Sequence, residues 1–125
     1  METSQNSQLP ATLDAQALAR LHDLDPTGKH GVVQKVMRTF DTSLERGLQQ
    51  IRNAVAQGDS ATVGSLAHTL KSSSASVGAM TLSARCSEVE RAVRDGRWAD
   101  MAANVPNLLA EGERAQLAVR AMLRP

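Results

Sequence analysis

His68 and Lys71 are the residues of this chain whose types and spacing could do chemistry together. They lie three apart, so on a helix they stand one turn from each other on the same side. At 100° per residue, with Val63 at zero, Leu66, Ala67, Leu70, Ser74 and Val77 fall within about 60° and make an apolar face. His68 falls about 140° away, on the outside, with Lys71 at about 80°. The positions around His68 are Ala61, Gly64, Ser65, Ser72 and Ala75, all small. An ordinary solvated face would carry Glu, Lys, Arg or Gln there. A neutral imidazole is a nucleophile near its unperturbed pKa of about 6.5. A lysine beside it supplies charge for an anionic reactant. Small neighbours let something large and flat, such as another protein, reach the ring. The competing interpretation is a lone surface histidine without a role. His22 and His30 lie near turns and read as solvated. No helix pairs His with His or Glu at i and i+4, so the spacing offers no metal site.

The elements that must position this pair are helices. Thr12 is the expected N-cap of a short helix through about Leu21, with Leu13, Ala17, Leu18 and Leu21 on one face. Asp23 to Gly28 read as a turn. A long helix is expected from near His30 to about Gln57, with Val33, Val36, Met37, Phe40, Leu44, Leu48, Ile51 and Val55 inward, and Gly58 stopping it. Asp59 or Ser60 caps a helix over Ala61 to Val77, ended by Gly78. The next runs from Ala79 to about Asp95, with Leu82, Cys86, Val89 and Val93 inward, and Gly96 ends it. The last covers Trp98 to Leu123, with Met101, Val105, Leu108, Gly112, Ala115, Val119 and Met122 inward; Pro106 should kink or interrupt it. Trp98 is expected to cover the bundle end. The fold class is therefore all-α: an antiparallel four-helix bundle with a short additional N-terminal helix. Residues 1–10 read as a flexible tail and 11–125 as the helical domain.

Composition agrees and excludes several functions. The 125 residues are 42% hydrophobic but only 2% aromatic, with 19 Ala and 14 Leu against one Ile. That mix favours helix over strand and leaves no aromatic platform for stacking bases. A net charge of +1 gives no field for nucleic acid or a membrane surface. No apolar run is long enough to span a bilayer, and the start is polar without a basic region, so no signal peptide is expected. Cys86 is alone, so there is no disulfide framework. These features read as a cytoplasmic protein. Met1 and the polar segment after it lean towards a free protein over a fragment of a larger one.

Residues 67–79, Ala-His-Thr-Leu-Lys-Ser-Ser-Ser-Ala-Ser-Val-Gly-Ala, resemble the signature of histidine-containing phosphotransfer (HPt) domains: His-x-Leu-Lys-Gly-Ser-(Ser/Ala), then Gly ten residues after the His. Leu82, Cys86 and Glu90 downstream, and Phe40 and Gly58-Asp59 upstream, also look like the family pattern. The resemblance covers about residues 12–123. One departure is Ser72, where the family commonly has Gly.

The resemblance implies a relay of phosphoryl groups. His68 would accept one from the phospho-aspartate of a receiver domain of a hybrid sensor kinase. It would pass the group to an aspartate on a response regulator's receiver. Lys71 would face the phosphoryl oxygens. Glu90 aligns with a family position that often holds Gln or Glu near the ring, and would accept from the inner N–H. Arg94 would help with the phosphate or partner; the plainer alternative is a solvated Glu90–Arg94 pair, i and i+4. Gly64, Ser65, Ser72 and Ala75 would form the docking face. No cofactor is implied for this chain: Mg²⁺ belongs to the partner receiver. The chain would be a monomer and not an enzyme by itself, since no Gly-rich nucleotide loop occurs. The rival function is a non-catalytic helical adaptor or inhibitor of a receiver or kinase, which would be expected to have lost His68 or Lys71. A metal-binding or enzymatic bundle needs inward carboxylates, where Val, Leu, Met, Ala and Phe are expected.

Overall fold

The computed structural model describes residues 12–123. The segment 1–10, read from sequence as a tail, lies outside them. Five helices follow one another: α1 (Ala15–Asp23), α2 (Val32–Ala56), α3 (Ser60–Ser76), α4 (Met80–Arg94) and α5 (Trp98–Leu123). Among the described residues there is no strand. α3 packs against α2 and α4, and α5 against α4 and α2. The four long helices thus close into an up-down-up-down bundle, and α1 lies against one end. The expected bundle is present.

Three-residue turns, 57–59, 77–79 and 95–97, set each long helix antiparallel to the one before it. After α2, α3 and α4 the chain uses the same stop: a glycine with positive φ (Gly58, Gly78, Gly96) sends its N–H to the carbonyl three residues back. The next residue's N–H reaches five back, as in Asp59 to Ala54, Ala79 to Ser74 and Arg97 to Ala92, each at 2.8 Å. This is a Schellman motif, which satisfies the last carbonyls of a helix and reverses the chain.

Gly78 has a second duty. Its carbonyl accepts from Asp14 N–H at 2.7 Å, and a Cβ there would meet Asp14 N at 2.9 Å and Ala17 Cβ at 3.0 Å. The α3–α4 turn therefore anchors the start of α1. That contact places Asp14, not Thr12, at the N-cap, where its carboxylate accepts from Ala17 N–H. α2 begins two residues later than expected because Asp25, buried, accepts from His30 and Val32 N–H at 3.0 and 3.2 Å and organises the preceding turn.

The core is built from Met37, Phe40, Leu44, Leu48 and Ile51 of α2, Val63, Ala67 and Leu70 of α3, Leu82, Cys86 and Val89 of α4, and Val105, Leu108, Ala115 and Val119 of α5. Several expected inward positions differ. Val55 and Met122 are exposed near helix ends, where the partner helices no longer cover them, and Ala54 is buried in place of Val55. Trp98 does not cover the bundle; it is 54% exposed, at the first position of α5 beside the Gly96 turn. Pro106 does not interrupt α5, which runs unbroken from Trp98 to Leu123. The interior is not wholly apolar either. Glu111 of α5 is buried and paired with Arg114 at 3.1 Å. Among the described residues no group of three His, Cys, Asp or Glu could hold a metal ion, and no helix is long and apolar enough to cross a membrane.

Candidate functional site

The site sits in the middle of α3, on the side that meets α4. α3 opens with Asp59, whose carboxylate accepts from Thr62 N–H and its hydroxyl, which fixes the helix phase about two and a half turns before His68. Val63, Ala67, Leu70 and Ser74 turn inward. His68 is thereby turned outward, and its side chain is 64% exposed.

The carboxylate of Glu90, on α4, bridges the two α3 residues that the sequence singles out. Its Oε2 lies 2.5 Å from His68 Nδ1 and its Oε1 accepts from Lys71 Nζ at 2.6 Å. Glu90 is only 16% exposed and Lys71 33%, so this bridge lies at the base of the site while the imidazole stands clear. The ion pair with Arg94 that the sequence permitted does not form among the described residues.

The charge state follows from the geometry. Lys71 beside Glu90 holds its carboxyl below the ordinary 4.5; burial opposes this, and the His68 hydrogen bond adds a lesser lowering. An ionised carboxylate only accepts, so Nδ1 of His68 must carry the ring proton. In the neutral ring Nε2 then bears the lone pair and faces outward. A depressed carboxyl binds more protons unfolded than folded. Its stabilisation is full above about 4.5 and is lost as pH falls below that value. Unfolding titrations from neutral pH to pH 3 should therefore show a shallower acid loss in Glu90→Gln than in the parent chain.

Ser83 of α4, which sequence reasoning missed, donates from Oγ to the Lys71 carbonyl at 3.0 Å. It clamps α4 to α3 beside the bridge. Nothing in a one-dimensional pattern marks it, because it reads as a small polar residue on a half-buried helix.

The small residues divide into three groups. Ala61, Ser65 and Ser72 are exposed beside His68, and Ala75 is half-buried. Gly64 is not on the open face: it is buried, and a Cβ there would lie 2.7 Å from Val93 Cγ1 and 3.1 Å from its Cβ. Its hydrogen lets α4 approach closely one turn from the bridge. A bulky residue at 64 would therefore disrupt the helix pair itself, and the docking test belongs at Ser72. The serine run splits likewise. Ser73 donates back to the Leu70 carbonyl, Ser74 is in the core, and only Ser72 shares the open side of His68.

His68, Glu90, Ala61, Ser65 and Arg94 line a shallow concavity of about 390 Å³, with Gly64 and Val93 at its floor. Arg94 has no ion pair among the described residues. A groove of similar size, about 370 Å³, lies between α2 and α3 around Phe40 and Val77, with Lys35 as its ionisable residue. It holds no reactive cluster. Cys86 is buried in the core and its thiol is pushed up to about 12 by burial, so it is a packing residue. Of the exposed apolar residues, Leu24 and Met80 stand near the two ends of the α1 and α3–α4 turns.

The arrangement is a solvent-facing nucleophile with its proton held on the inner nitrogen, one cation at its base and a second at its edge. No curated protein matches the chain. A crystal structure of histidine-containing phosphotransfer protein B (HptB) from Pseudomonas aeruginosa PAO1 is similar at a TM-score of 0.80 and 23% identity, covering 91% of this chain and 96% of that one. At this identity the likeness shows a shared fold. The Hpt domain family model matches residues 35–123, which include α3, α4 and every residue of the bridge. The chain belongs to the Hpt domain family, the histidine-containing phosphotransfer modules that work with receiver domains in phosphorelays.

Proposed function

We propose that this chain carries the phosphoryl group on His68, between the aspartate of a hybrid sensor kinase's receiver and that of a response regulator. The observation that carries this reading is the Glu90 bridge. It leaves one reactive nitrogen, Nε2, on an open face with small neighbours. In the accepting step the Nε2 lone pair forms a bond to phosphorus. The P–O bond to the receiver aspartate breaks, and its electron pair stays on the leaving carboxylate. The imidazole gains positive charge as the bond forms, and the Glu90 carboxylate at Nδ1 compensates it. Lys71 and Arg94 are the cations available to phosphoryl oxygens, Lys71 by turning from Glu90.

Ser65, Ser72 and Ala75, with the backbone of Gly64 below, form the docking face. The chain binds no nucleotide and does not phosphorylate itself; the receiver brings the Mg²⁺ and the acidic pocket. It acts as a monomer in the cytoplasm, through small transient interfaces below about 1,200 Å² in total. The adaptor alternative is disfavoured because His68, Lys71 and Glu90 are all kept and joined.

The test is incubation with phosphorylated receiver domains, following an acid-labile, alkali-stable label on this chain. Absence of such a label with every receiver tried, while binding persists, would favour the adaptor. Ser72→Trp should block transfer with little change in helicity, whereas Ser72→Gly should keep or raise the rate. Normal transfer by the tryptophan variant would place docking elsewhere.

A further inference from the structure

We infer that Glu90 also governs how readily the phosphorylated ring gives up its group, by keeping Nδ1 protonated after Nε2 has been phosphorylated. This rests on the phosphotransfer reading above and concerns the step after it.

The argument is one of leaving groups. When the phosphoryl group departs, the Nε2–P bond breaks and its electron pair stays on Nε2. With a proton on Nδ1 the phosphorylated ring is a cation, and what leaves is neutral imidazole. Without that proton what leaves is an imidazolate, a far poorer leaving group. The acceptor oxygen, of a receiver aspartate or of water, forms the new bond to phosphorus. The Nδ1 proton stays where it is throughout, and when water attacks, its own proton goes to the phosphate released.

The surroundings decide whether that proton is present at neutral and higher pH. An opposite charge within hydrogen-bond reach favours the charged form of its neighbour. The Glu90 carboxylate lies 2.5 Å from Nδ1 itself. Glu90 is also poorly exposed, so water screens this pair less than an open surface pair. The other charged groups facing the ring are Lys71 on its own helix and Arg94 on α4. Both are cations and oppose ring protonation. Lys71, however, is held on the far oxygen of the same carboxylate, and a bound phosphoryl group draws both cations to its own oxygens. The groups around the ring thus assign opposite tasks: the carboxylate to the inner nitrogen, the cations to the outer end.

Glu90 is accordingly a positioning residue for donation, and its charge, beyond its hydrogen bond, is what acts. Glutamine keeps an acceptor oxygen and the side-chain length but removes the charge. The experiment loads the full chain with phosphoramidate, a small phosphodonor that needs no partner. It then follows loss of phosphohistidine by ³¹P NMR across pH for the parent chain, Glu90→Gln and Glu90→Leu. Near pH 5 the rings are protonated in all three and the rates should converge. At about pH 8.5 Glu90→Gln should lose its label about tenfold more slowly than the parent, with Glu90→Leu at least as slow. The glutamine variant carries the test if leucine loosens α4. Superimposable pH profiles for parent and Glu90→Gln would overturn the inference while leaving phosphotransfer intact. A parent chain that takes up no phosphoryl group on His68 would overturn both.

Discussion

A His68→Gln variant is expected to accept no phosphoryl group from any receiver, with its fold unchanged. The two halves of this expectation have separate origins. Acceptance needs a nitrogen lone pair on the open face, and a glutamine amide nitrogen has none to give. Stability is spared because the His68 side chain is 64% exposed and substitutions at such positions usually shift stability by less than about 0.5 kcal/mol. The glutamine amide can also donate to the Glu90 carboxylate, so the bridge to Lys71 need not collapse. The measurement pairs radiolabel transfer from a phosphorylated receiver with a thermal melt by circular dichroism. Label retained by the variant would place the acceptor on another residue and end the mechanism.

On the opposite side of the same helix, Leu70→Ala should cost about 2–5 kcal/mol. Leu70 is 5% exposed and belongs to the cluster that α3 shares with its neighbours. Truncation removes apolar contacts and leaves a cavity that three long helices, each fixed by its own turn, can close only in part. For a domain of this size that is a fall in melting temperature of about 10 °C or more. His68 and Glu90 point away from Leu70, so transfer measured well below the melt should remain. A melting temperature equal to the parent's would mean that the faces of α3 are assigned wrongly.

Much of this was legible in the sequence, for reasons that can be named. Gly58, Gly78 and Gly96 follow long apolar periods, so helix number, order and antiparallel sense came out as expected. His68 and Lys71 stood out because everything near them was small. Glu90 required the family resemblance: no periodicity within α4 says that a carboxylate there reaches two residues of another helix. Ser83 and the floor formed by Gly64 and Val93 were hidden for a related reason. A helical wheel treats α3 as an isolated rod with one buried side, whereas α4 covers a second flank, and that flank takes Gly64. The N-cap falls on Asp14 instead of the expected Thr12 because of a contact made at a distance, with the Gly78 carbonyl. Asp25, Glu111 and Trp98 depart from simple polarity rules because each sits at a helix end or seam where a partner or its absence decides burial.

The close approach at Gly64 has a consequence for what sequences this site permits. Val93 fills the space that a side chain at 64 would need, one turn from the Glu90 bridge. Volume at these two positions is therefore a shared quantity. Alanine at 64 forces the helices apart while a β-branched residue occupies 93; alanine at 93 removes the 2.7 Å clash with Cγ1 and leaves only the tight 3.1 Å approach of the two Cβ atoms, so the two changes should partly offset each other instead of adding. The reach of Glu90 to His68 and Lys71 inherits that rule. Whether a relative can assemble the same bridge is written partly in a pair of side chains that carry no charge and touch no phosphate.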